Sequence, residues 1–249
     1  MLGTNYQRKV KSSLGPKIRH GVDKLNESLP TKAVVLLSGG MDSSTILYYA
    51  KKVHPDVTAV IIDYQQRHIR EIEAAKRIAS EANIPYVISK LFIPRFKGSP
   101  LVDPKEEIPD QIMDSQATTV VPFRNTFFLL HACAVAVQKE ANGVYIGAVK
   151  EDQLNFPDCR PAFFEAFQSM VDQQELDLNI RYPFVHLSKA KIVQLGEKLG
   201  VPWKLTWTCY RGGEHPCGRC DACKERLEAF KVNKLVDPLI YEEVEQDGQ

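Results

Sequence analysis

The feature that most constrains this chain is a glycine-bearing turn between an apolar strand and a helix. Residues 33–37 are apolar and predict a buried strand, and residues 45–52 have the spacing of a helix. Between them, residues 38–44 read Ser-Gly-Gly-Met-Asp-Ser-Ser. The first backbone N–H groups of a helix lack intrahelical partners, and the helix dipole places partial positive charge there. The sequence therefore predicts an anion site that binds the phosphates of a nucleotide.

This turn differs from the two best-known phosphate-binding motifs. It lacks the Lys that ends a Walker P-loop, and it does not read G-x-G-x-x-G. Ser-Gly-Gly-x-Asp-Ser is similar to the PP-loop of ATP pyrophosphatases, which cleave ATP to AMP and pyrophosphate. An ordinary strand-to-helix turn capped by Ser or Asp would explain the same residues. Asp42 favours the nucleotide interpretation, because a carboxylate beside phosphates needs a Mg²⁺ or a substrate amine near it.

Composition narrows the class of protein. The chain has 249 residues, of which 25% are charged and 44% hydrophobic, as is ordinary for a globular protein. Its net charge of +1 provides no general attraction to nucleic acid or an anionic membrane. No apolar run approaches the length of a membrane span, and residues 1–20 lack the apolar segment of a signal peptide. We therefore expect a cytoplasmic protein whose cysteines are reduced thiols or metal ligands.

Predicted strands and helices alternate, which is typical of a parallel sheet covered on both faces. The strands are predicted at residues 33–37, 57–62, 86–91, 144–146 and 180–184. The helices are predicted at residues 42–52, 69–82, 125–140, 161–171, 188–199 and 221–232. Ser188 and Gly200 are the expected caps of the fifth helix, and the third is apolar enough to be buried on most sides. We therefore expect an α/β fold with a twisted parallel sheet that binds ligands at the carboxyl ends of its strands.

The chain divides into four predicted parts. Residues 1–30 form a basic extension, 31–187 the ATP-binding α/β domain, 188–235 a helical segment with four cysteines, and 236–249 an acidic tail. Within the second part, residues 93–118 are rich in prolines and polar groups and have no clear period, which is typical of a functional loop or lid. The basic extension is either a solvated tail or an arm that contacts a partner or a nucleic acid.

Four cysteines near the C-terminus have the spacing of a metal site. They form the pattern C-x7-C-x2-C-x2-C and are Cys209, Cys217, Cys220 and Cys223. Two overlapping C-x2-C steps in a glycine-rich knuckle collect thiolates around a tetrahedral ion, which favours Zn²⁺. An iron–sulfur cluster also takes four cysteines, although the common ferredoxin spacing differs. Four protein ligands leave no open position for water, so we expect a structural zinc site.

Three further loops group charged and aromatic residues where predicted strands end or a helix begins. They are residues 63–68, 121–126 and 155–160, and their basic residues are Arg67, His68, Arg124 and Arg160. Guanidinium groups suit a phosphate or carboxylate, because their fork binds two oxygens. Tyr64 and Phe156 are suited to sandwich a flat heterocycle. A set of surface salt bridges would explain the same charged residues.

Together these segments resemble the 7-cyano-7-deazaguanine synthase (QueC) family of the PP-loop ATP pyrophosphatase superfamily. The matching pieces are residues 38–43, Gln66-Arg67-His68 with Glu71, Val121-Pro122 with Arg124-Asn125, Pro157-Asp158-Cys159-Arg160, Ser188-Lys189-Ala190, and Thr208-Cys209-Tyr210 with the last three cysteines. The resemblance implies an adenine nucleotide alpha hydrolase-like fold. It also implies a ligase of queuosine biosynthesis that uses ATP and ammonia. That ligase would convert 7-carboxy-7-deazaguanine to 7-cyano-7-deazaguanine (preQ0) through adenylated intermediates.

The resemblance also implies residue roles. ATP would be bound by Ser38, Gly39, Gly40, Met41, Asp42, Ser43, Ser44 and Arg124, and Asp42 would help to hold Mg²⁺. Catalysis would use Asp42, Lys189, Arg67 and His68. The deazaguanine would lie against Tyr64, Phe156, Asp158, Cys159 and Arg160. Asp158 would accept from its N–H edge, Arg160 would meet its carboxylate, and Cys159 would form a pocket wall or, alternatively, act as a nucleophile.

The chain departs from the family pattern near the expected cleft. Gln65 and Phe123 stand where the family usually has glycine, and residues 154–156 read Leu-Asn-Phe in place of Ser-Gly-Tyr. An alternative product is the amide, or a deazaguanine joined to a protein or nucleic acid, as in QueC-like proteins of phage defence. A third hypothesis, a zinc-bearing binding module with an inactive nucleotide site, is opposed by the intact PP-loop. The resemblance allows a homodimer, although no exposed apolar stripe is predicted that would demand one.

Overall fold

The structure is a computed structural model that describes residues 31–67, 69–93, 99–103, 105–108 and 119–242. The basic extension at 1–30, His68 and the acidic residues 243–249 lie outside the described residues, as do parts of the loop predicted at 93–118. None of the helices in the described ranges has the length and apolarity that crossing a bilayer requires.

Five strands form one parallel sheet in the order β3-β2-β1-β4-β5. Their bounds are β1 Lys32–Leu36, β2 Asp56–Asp63, β3 Tyr86–Lys90, β4 Gly143–Tyr145 and β5 Asn179–Arg181. Val34 and Val35 of the central strand β1 are fully buried, because helices cover both faces of the sheet. The predicted α/β fold is confirmed. The last strand is shorter than the predicted 180–184, because the chain turns there and the N–H of Val185 donates to the carbonyl of Tyr182.

Helices connect the strands at nearly the predicted positions. Their bounds are α1 Met41–Val53, α2 Arg70–Glu81, α3 Arg124–Gln138, α4 Asp152–Asn155, α5 Pro161–Asp172, α6 Lys189–Leu199 and α7 Asp221–Val232, with 3₁₀ turns at Pro157–Cys159 and Trp203–Leu205. The predicted caps of α6 are confirmed. The Ser188 side chain accepts from the N–H of Lys191, and Gly200 has a left-handed φ of 74°.

The hydrophobic core lies in two layers, one on each face of the sheet. On one face α1, α2 and α6 pack through residues such as Ile46, Ile78 and Ile192, which are fully buried. On the other face α3 and α5 pack through Leu129 and Phe164. Alternate residues of the strands point to opposite faces, so each strand contributes to both layers. This arrangement leaves the carboxyl ends of the strands uncovered by the core.

The prediction that the third helix is buried on most sides is wrong. α3 covers the sheet with one face only, and its outer face exposes Phe123, Phe127, Leu130 and Val137. Phe123 is 70% exposed and Leu130 is 46% exposed. These four residues, called the α3 stripe below, recur at helical spacing along one side. The expectation that no apolar stripe is exposed is therefore also wrong.

Residues 236–242, which the sequence analysis assigned to the acidic tail, pack against α7. The Asp237 carboxylate is buried and binds the guanidinium of Arg226 at 2.6 Å. The hydroxyl of Tyr241 donates to the same carboxylate, and the N–H of Glu242 donates to the carbonyl of Pro216. A buried charge is tolerated only when it is paired in this way. This segment is thus part of the folded C-terminal unit.

The close packing of Gly196 of α6 against Trp203 predicts that a larger residue at position 196 would destabilise the fold. A Cβ at Gly196 of α6 would lie 2.2 Å from the ring of Trp203, which is buried. We expect Gly196→Ala to lower the free energy of unfolding by about 1–3 kcal/mol in urea denaturation, since overpacking outweighs the gain in helix propensity. Lys198→Ala, at an exposed position of α6, is the control and should change it by less than about 0.5 kcal/mol. Equal stabilities of the two variants would contradict this packing.

Candidate active site

A cleft of about 250 Å³ opens where β1, β2 and β4 end, at the point where the strand order reverses. The predicted ATP-binding, substrate-binding and catalytic residues that line it are Ser38, Gly40, Met41, Asp42, Ser43, Tyr64, Arg124, Phe156, Cys159 and Lys189. Those that do not line it are Gly39, Ser44, Arg67, Asp158 and Arg160. His68 lies outside the described residues.

The β1–α1 turn presents the start of α1 to the cleft. Gly40 is the N-cap of α1, and no side chain among the described residues caps this helix. The first N–H groups of α1 are therefore available to an anion. Of the two glycines in the turn, Gly39 has a positive φ of 85°, whereas Gly40 has a φ of −76°. A Cβ at Gly39 would lie 2.7 Å from the backbone of α2, at Glu71 and Ala75, which is why this position must lack a side chain.

The serines of the turn have different environments. The hydroxyls of Ser38 and Ser43 are 3.0 Å apart, and both residues line the cleft. Ser44 is fully buried and its hydroxyl donates to the carbonyl of Gly40 at 2.6 Å. Ser44 thus holds the helix start in place and does not present its hydroxyl to the cleft.

Lys189, at the start of α6, lies in a group of carboxylates. Its ammonium is 3.4 Å from Asp152 and also binds Glu225, while its backbone N–H donates to the carboxylate of Glu151. Asp42 is nearby: burial raises its pKa to about 7, and the charge of Lys189 opposes that rise. The Oδ1 atom of Asp42 is buried and has no hydrogen-bond partner within the described residues. One ammonium does not balance this many carboxylates, so the site is suited to a further cation.

The other end of the cleft is aromatic. The Arg124 guanidinium lies 5.7 Å from the ring centroid of Phe156, and the Tyr64 ring lies 5.1 Å from that of Phe128. All four residues line the cleft. Burial raises the pKa of Tyr64 to about 12, so its hydroxyl stays protonated. Aromatic faces beside a cation suit a flat, electron-rich heterocycle.

In the Pro-Asp-Cys-Arg segment, Asp158 and Arg160 form hydrogen bonds within the protein and do not line the cleft. Asp158 accepts from the backbone N–H of Asn125 at 3.1 Å and so caps α3 from a distant part of the chain. Arg160 is exposed and donates to the carbonyl of Gln153. Cys159 lines the cleft, and burial raises the pKa of its thiol to about 12, which suits a wall and not a nucleophile.

Arg67 supports a loop outside the cleft. Its guanidinium donates to the carbonyl of Glu106 at 2.6 Å and to that of Pro100 at 3.4 Å. The side chain is exposed, so the structure gives Arg67 a role in holding the segment after β3 and not a place among the lining residues.

Two of the positions where glycine is replaced, Gln65 and Phe123, keep a glycine-like backbone. Gln65 has a φ of 61° and Phe123 a φ of 60°, both in the left-handed region. Both side chains are exposed, and neither lines the cleft. The loops therefore keep their course, at a cost of roughly 1 kcal/mol for each non-glycine residue in this region.

Several cleft residues were missed by sequence reasoning about the site. They are Glu71, Asn125, Asp152, Thr208 and Tyr210, with Glu225 bound to the cleft lysine. Glu71, Asn125, Thr208 and Tyr210 lie inside the matching family segments, which was an available signal. Glu225 carried no signal, because a carboxylate on α7 is unremarkable until that helix is placed against α6.

The four cysteines come together as predicted. Their Sγ atoms all lie within 4.8 Å of one another, and all four residues are buried. Backbone N–H groups donate to the sulfurs, from Cys217 to Cys209 and from Cys220 to Cys217, both at 3.3 Å. Such donors stabilise thiolates, so the set fits a metal ion with soft-ligand preference.

The fold and the cleft define an α/β nucleotide-binding protein of the PP-loop type. Two observations carry this class: a helix start that no side chain caps, and a lysine facing it across the carboxyl ends of parallel strands. The family described as "Queuosine biosynthesis protein QueC" matches residues 32–234. The chain belongs to the QueC family.

Individual relatives agree with this family. The chain is 42% identical over 221 residues to the 7-cyano-7-deazaguanine synthase of Trichodesmium erythraeum, covering 84% of this chain and 100% of the relative. It is 41% identical over 224 residues to that of Thermoplasma volcanium, covering 86% and 92%. Among solved structures, the NMN synthetase of Francisella tularensis superimposes with a TM-score of 0.52 at 15% identity, covering 94% of this chain and 87% of that one. That likeness shows a shared fold alone.

The burial of Glu71 predicts a pH-dependent stability. Burial raises its pKa from 4.5 to about 7, and Arg124 opposes the rise. A raised native pKa stabilises the fold fully below about pH 4.5, and this contribution is lost as the pH rises through about 7. We expect Glu71→Gln to be more stable than the wild type by about 1–3 kcal/mol near pH 8, but not near pH 4.5, in urea denaturation.

The matched control for this prediction is Glu73→Gln, on the same helix. Glu73 is exposed enough to pair with Arg77 across one helical turn at 3.7 Å. The control should keep the wild-type pH dependence. If Glu71→Gln kept it as well, the carboxyl of Glu71 would not be the buried titrating group.

Proposed function

We propose that this protein is an ATP-dependent carbon–nitrogen ligase that converts 7-carboxy-7-deazaguanine and ammonia to 7-cyano-7-deazaguanine. Its membership of the QueC family supports the substrate and the product. The observation that carries the chemistry is one cleft in which the start of α1 and Lys189 lie at one end, and Arg124 and aromatic rings at the other. That arrangement suits a triphosphate beside a flat heterocycle that bears a carboxylate.

In the proposed reaction a substrate carboxylate oxygen attacks the α-phosphorus of ATP, and the bond to the β-phosphate oxygen breaks. This gives an acyl-adenylate and pyrophosphate. Ammonia adds to the acyl carbon, loses a proton and expels AMP, which gives the amide. The amide oxygen then attacks the α-phosphorus of a second ATP and releases a second pyrophosphate, and loss of AMP and two protons leaves the nitrile. The protein must align these groups and exclude water from the adenylates.

The residues of the cleft divide between the reactants by charge and position. Ser38, Ser43 and the N–H groups at the start of α1 receive the pyrophosphate, and Lys189 neutralises its charge. Tyr64 and Phe156 hold the faces of the heterocycle. Cys159 is a wall, and His68 keeps its proposed catalytic role as an expectation.

Mg²⁺ fits the carboxylate end of the cleft. In the part of the chain that the structure describes, the buried Oδ1 of Asp42 has no hydrogen-bond partner, and Asp152 lies 3.4 Å from the ammonium of Lys189. Carboxylate oxygens are the ligands that Mg²⁺ prefers, and it usually binds through one or two of them with substrate phosphates. Asp42 and Asp152 would hold the ion, whose chemistry is to neutralise the phosphate charge.

Replacing Asp42 tests the proposed reaction. We expect Asp42→Ala to reduce AMP release with ATP, Mg²⁺, ammonium and 7-carboxy-7-deazaguanine by at least about 100-fold, because the phosphates lose their cation. Asp56→Ala is the control, since Asp56 is exposed at the opposite, amino end of the sheet. Mass spectrometry identifies the product as the nitrile, the amide or a conjugate with a protein or nucleic acid, the last being the alternative of an antiviral defence role. Undiminished AMP release by Asp42→Ala would refute the assignment.

We propose that the cysteine cluster binds a structural Zn²⁺, in a protein that works in the reducing cytoplasm. Cys220→Ser should lower the zinc content from about one ion per chain to less than half, as measured by mass spectrometry of the metal, and lower the melting temperature with it. Asp42→Ala should keep its zinc. Visible absorbance from an iron–sulfur cluster, or a stable Cys220→Ser without metal, would contradict the proposal.

We propose that the protein forms a homodimer through the α3 stripe. A row of large apolar residues on one helix face is unfavourable in water and suits burial against a second copy. Leu130→Glu should convert the dimer to a monomer in light scattering. The control Gln194→Glu introduces the same charge at an exposed position of α6, on the opposite face of the sheet, and should leave the protein dimeric. A wild type that is monomeric at high concentration would refute the interface.

A further inference from the structure

The aromatic end of the cleft contains a carboxylate that none of the proposed steps uses. Within the described residues, the carboxylates that line the cleft are Asp42, Asp152 and Glu71. Asp42 and Asp152 lie beside Lys189, at the phosphate end. Glu71 projects from the first turn of α2 and is attracted to Arg124, which stands among the aromatic rings. It therefore lies on the side of the cleft that suits the heterocycle.

The carboxylate oxygens of Glu71 can accept further hydrogen bonds. Its carboxylate makes no hydrogen bond with the part of the chain that the structure describes. A carboxylate removed from bulk water without hydrogen-bond donors is unfavourable, and burial accordingly raises its pKa to about 7. Donors from a ligand would relieve this cost. The site is thus built to receive a ligand that brings N–H or O–H groups.

Asp158, which the sequence analysis favoured for binding the N–H edge of the heterocycle, already uses its carboxylate in a hydrogen bond within the protein. Asp158 accepts from the backbone N–H of Asn125, and the Asn125 side chain donates to the carbonyl of Asp158. Arg160, its neighbour, faces solvent. A change in these contacts would uncap α3, so Asp158 is not free to bind a base edge.

We propose that Glu71 is the residue that recognises the guanine-like edge of the substrate, with one carboxylate oxygen accepting from N1–H and the other from the 2-amino group. This inference rests on the proposed function, since it names the part of the substrate that the same cleft selects. A guanine-type edge presents two adjacent donors, which match the two oxygens of one carboxylate. Adenine and hypoxanthine edges do not present this pair. Arg124 supplies the positive charge that keeps the carboxylate ionised when the donors arrive.

The experiment compares two substrates in matched variants. Wild type, Glu71→Gln and Glu73→Gln are assayed for AMP release with 7-carboxy-7-deazaguanine and with its analogue that lacks the 2-amino group. The wild type should prefer the amino-bearing substrate by about 10–100-fold in kcat/KM, because the analogue leaves one carboxylate oxygen unpaired. In Glu71→Gln the KM for 7-carboxy-7-deazaguanine should rise by a similar factor, and the preference should fall to about twofold or less. The KM for ATP should change by less than about twofold.

Any of the following outcomes would overturn the inference. If Glu71→Gln keeps the wild-type preference, Glu71 does not read the 2-amino group. If the KM for ATP rises instead, the carboxylate binds the ribose hydroxyls. Glu73→Gln must behave as wild type, since its exposed carboxylate faces away from the cleft and pairs with Arg77.

Two further measurements keep this test separate from the proposed function. Calorimetry of 7-deazaguanine, which lacks the carboxyl group, measures base recognition without turnover. Wild type should bind it at least about 10-fold more tightly than Glu71→Gln even if no AMP is formed with any acid. If Glu71→Gln did not fold, Glu71→Asp, which keeps the charge on a shorter stem, should raise the KM and keep the preference. Loss of preference in Glu71→Asp would count against the assignment.

Discussion

The site depends on the close contact between the β1–α1 turn and α2. Gly39 touches the backbone of α2 so closely that a methyl group would lie 2.7 Å from its atoms. This contact sets where α1 begins, and hence where its unpaired N–H groups point. The carbonyl of Gly39 accepts from the backbone N–H of Trp207 at 2.8 Å, which ties the turn to the segment that leads into the cysteine cluster. Phosphate binding and the C-terminal unit therefore share one anchor.

A second constraint is the imbalance of buried charge. Among the described residues, carboxylates outnumber the ammonium at the Lys189 end of the cleft. Three of them, Asp42, Asp152 and Glu225, come from three different helices, α1, α4 and α7. Such an excess of buried negative charge is unfavourable without a further cation, so this end of the cleft is suited to bind one. Because Glu225 lies two residues after Cys223 on α7, the same helix connects the cysteine cluster to the cleft lysine.

Residue type alone did not identify the lining of the cleft, because some of the chosen side chains form hydrogen bonds elsewhere in the protein. Asp158 and Arg160 have the chemistry to bind a base and a carboxylate, but their groups bond to Asn125 and Gln153. Arg67 likewise bonds to the carbonyls of a loop. By contrast, Gln65 and Phe123, which stand where the family usually has glycine, do not require a different backbone conformation. Both keep the left-handed backbone that glycine would adopt, with their side chains directed to solvent.

The sequence alone determined the parallel α/β fold, the position of the phosphate turn and the convergence of the four cysteines. These follow from local rules: the alternation of apolar periods, the exposed N–H groups of a helix start, and ligand spacing within a short loop. Only the tertiary structure decided which polar groups face the cleft, that Glu225 of α7 binds the cleft lysine, and that α3 exposes an apolar face. Those properties depend on contacts between residues far apart in the chain, such as Glu225 with Lys189, and no local pattern encodes them.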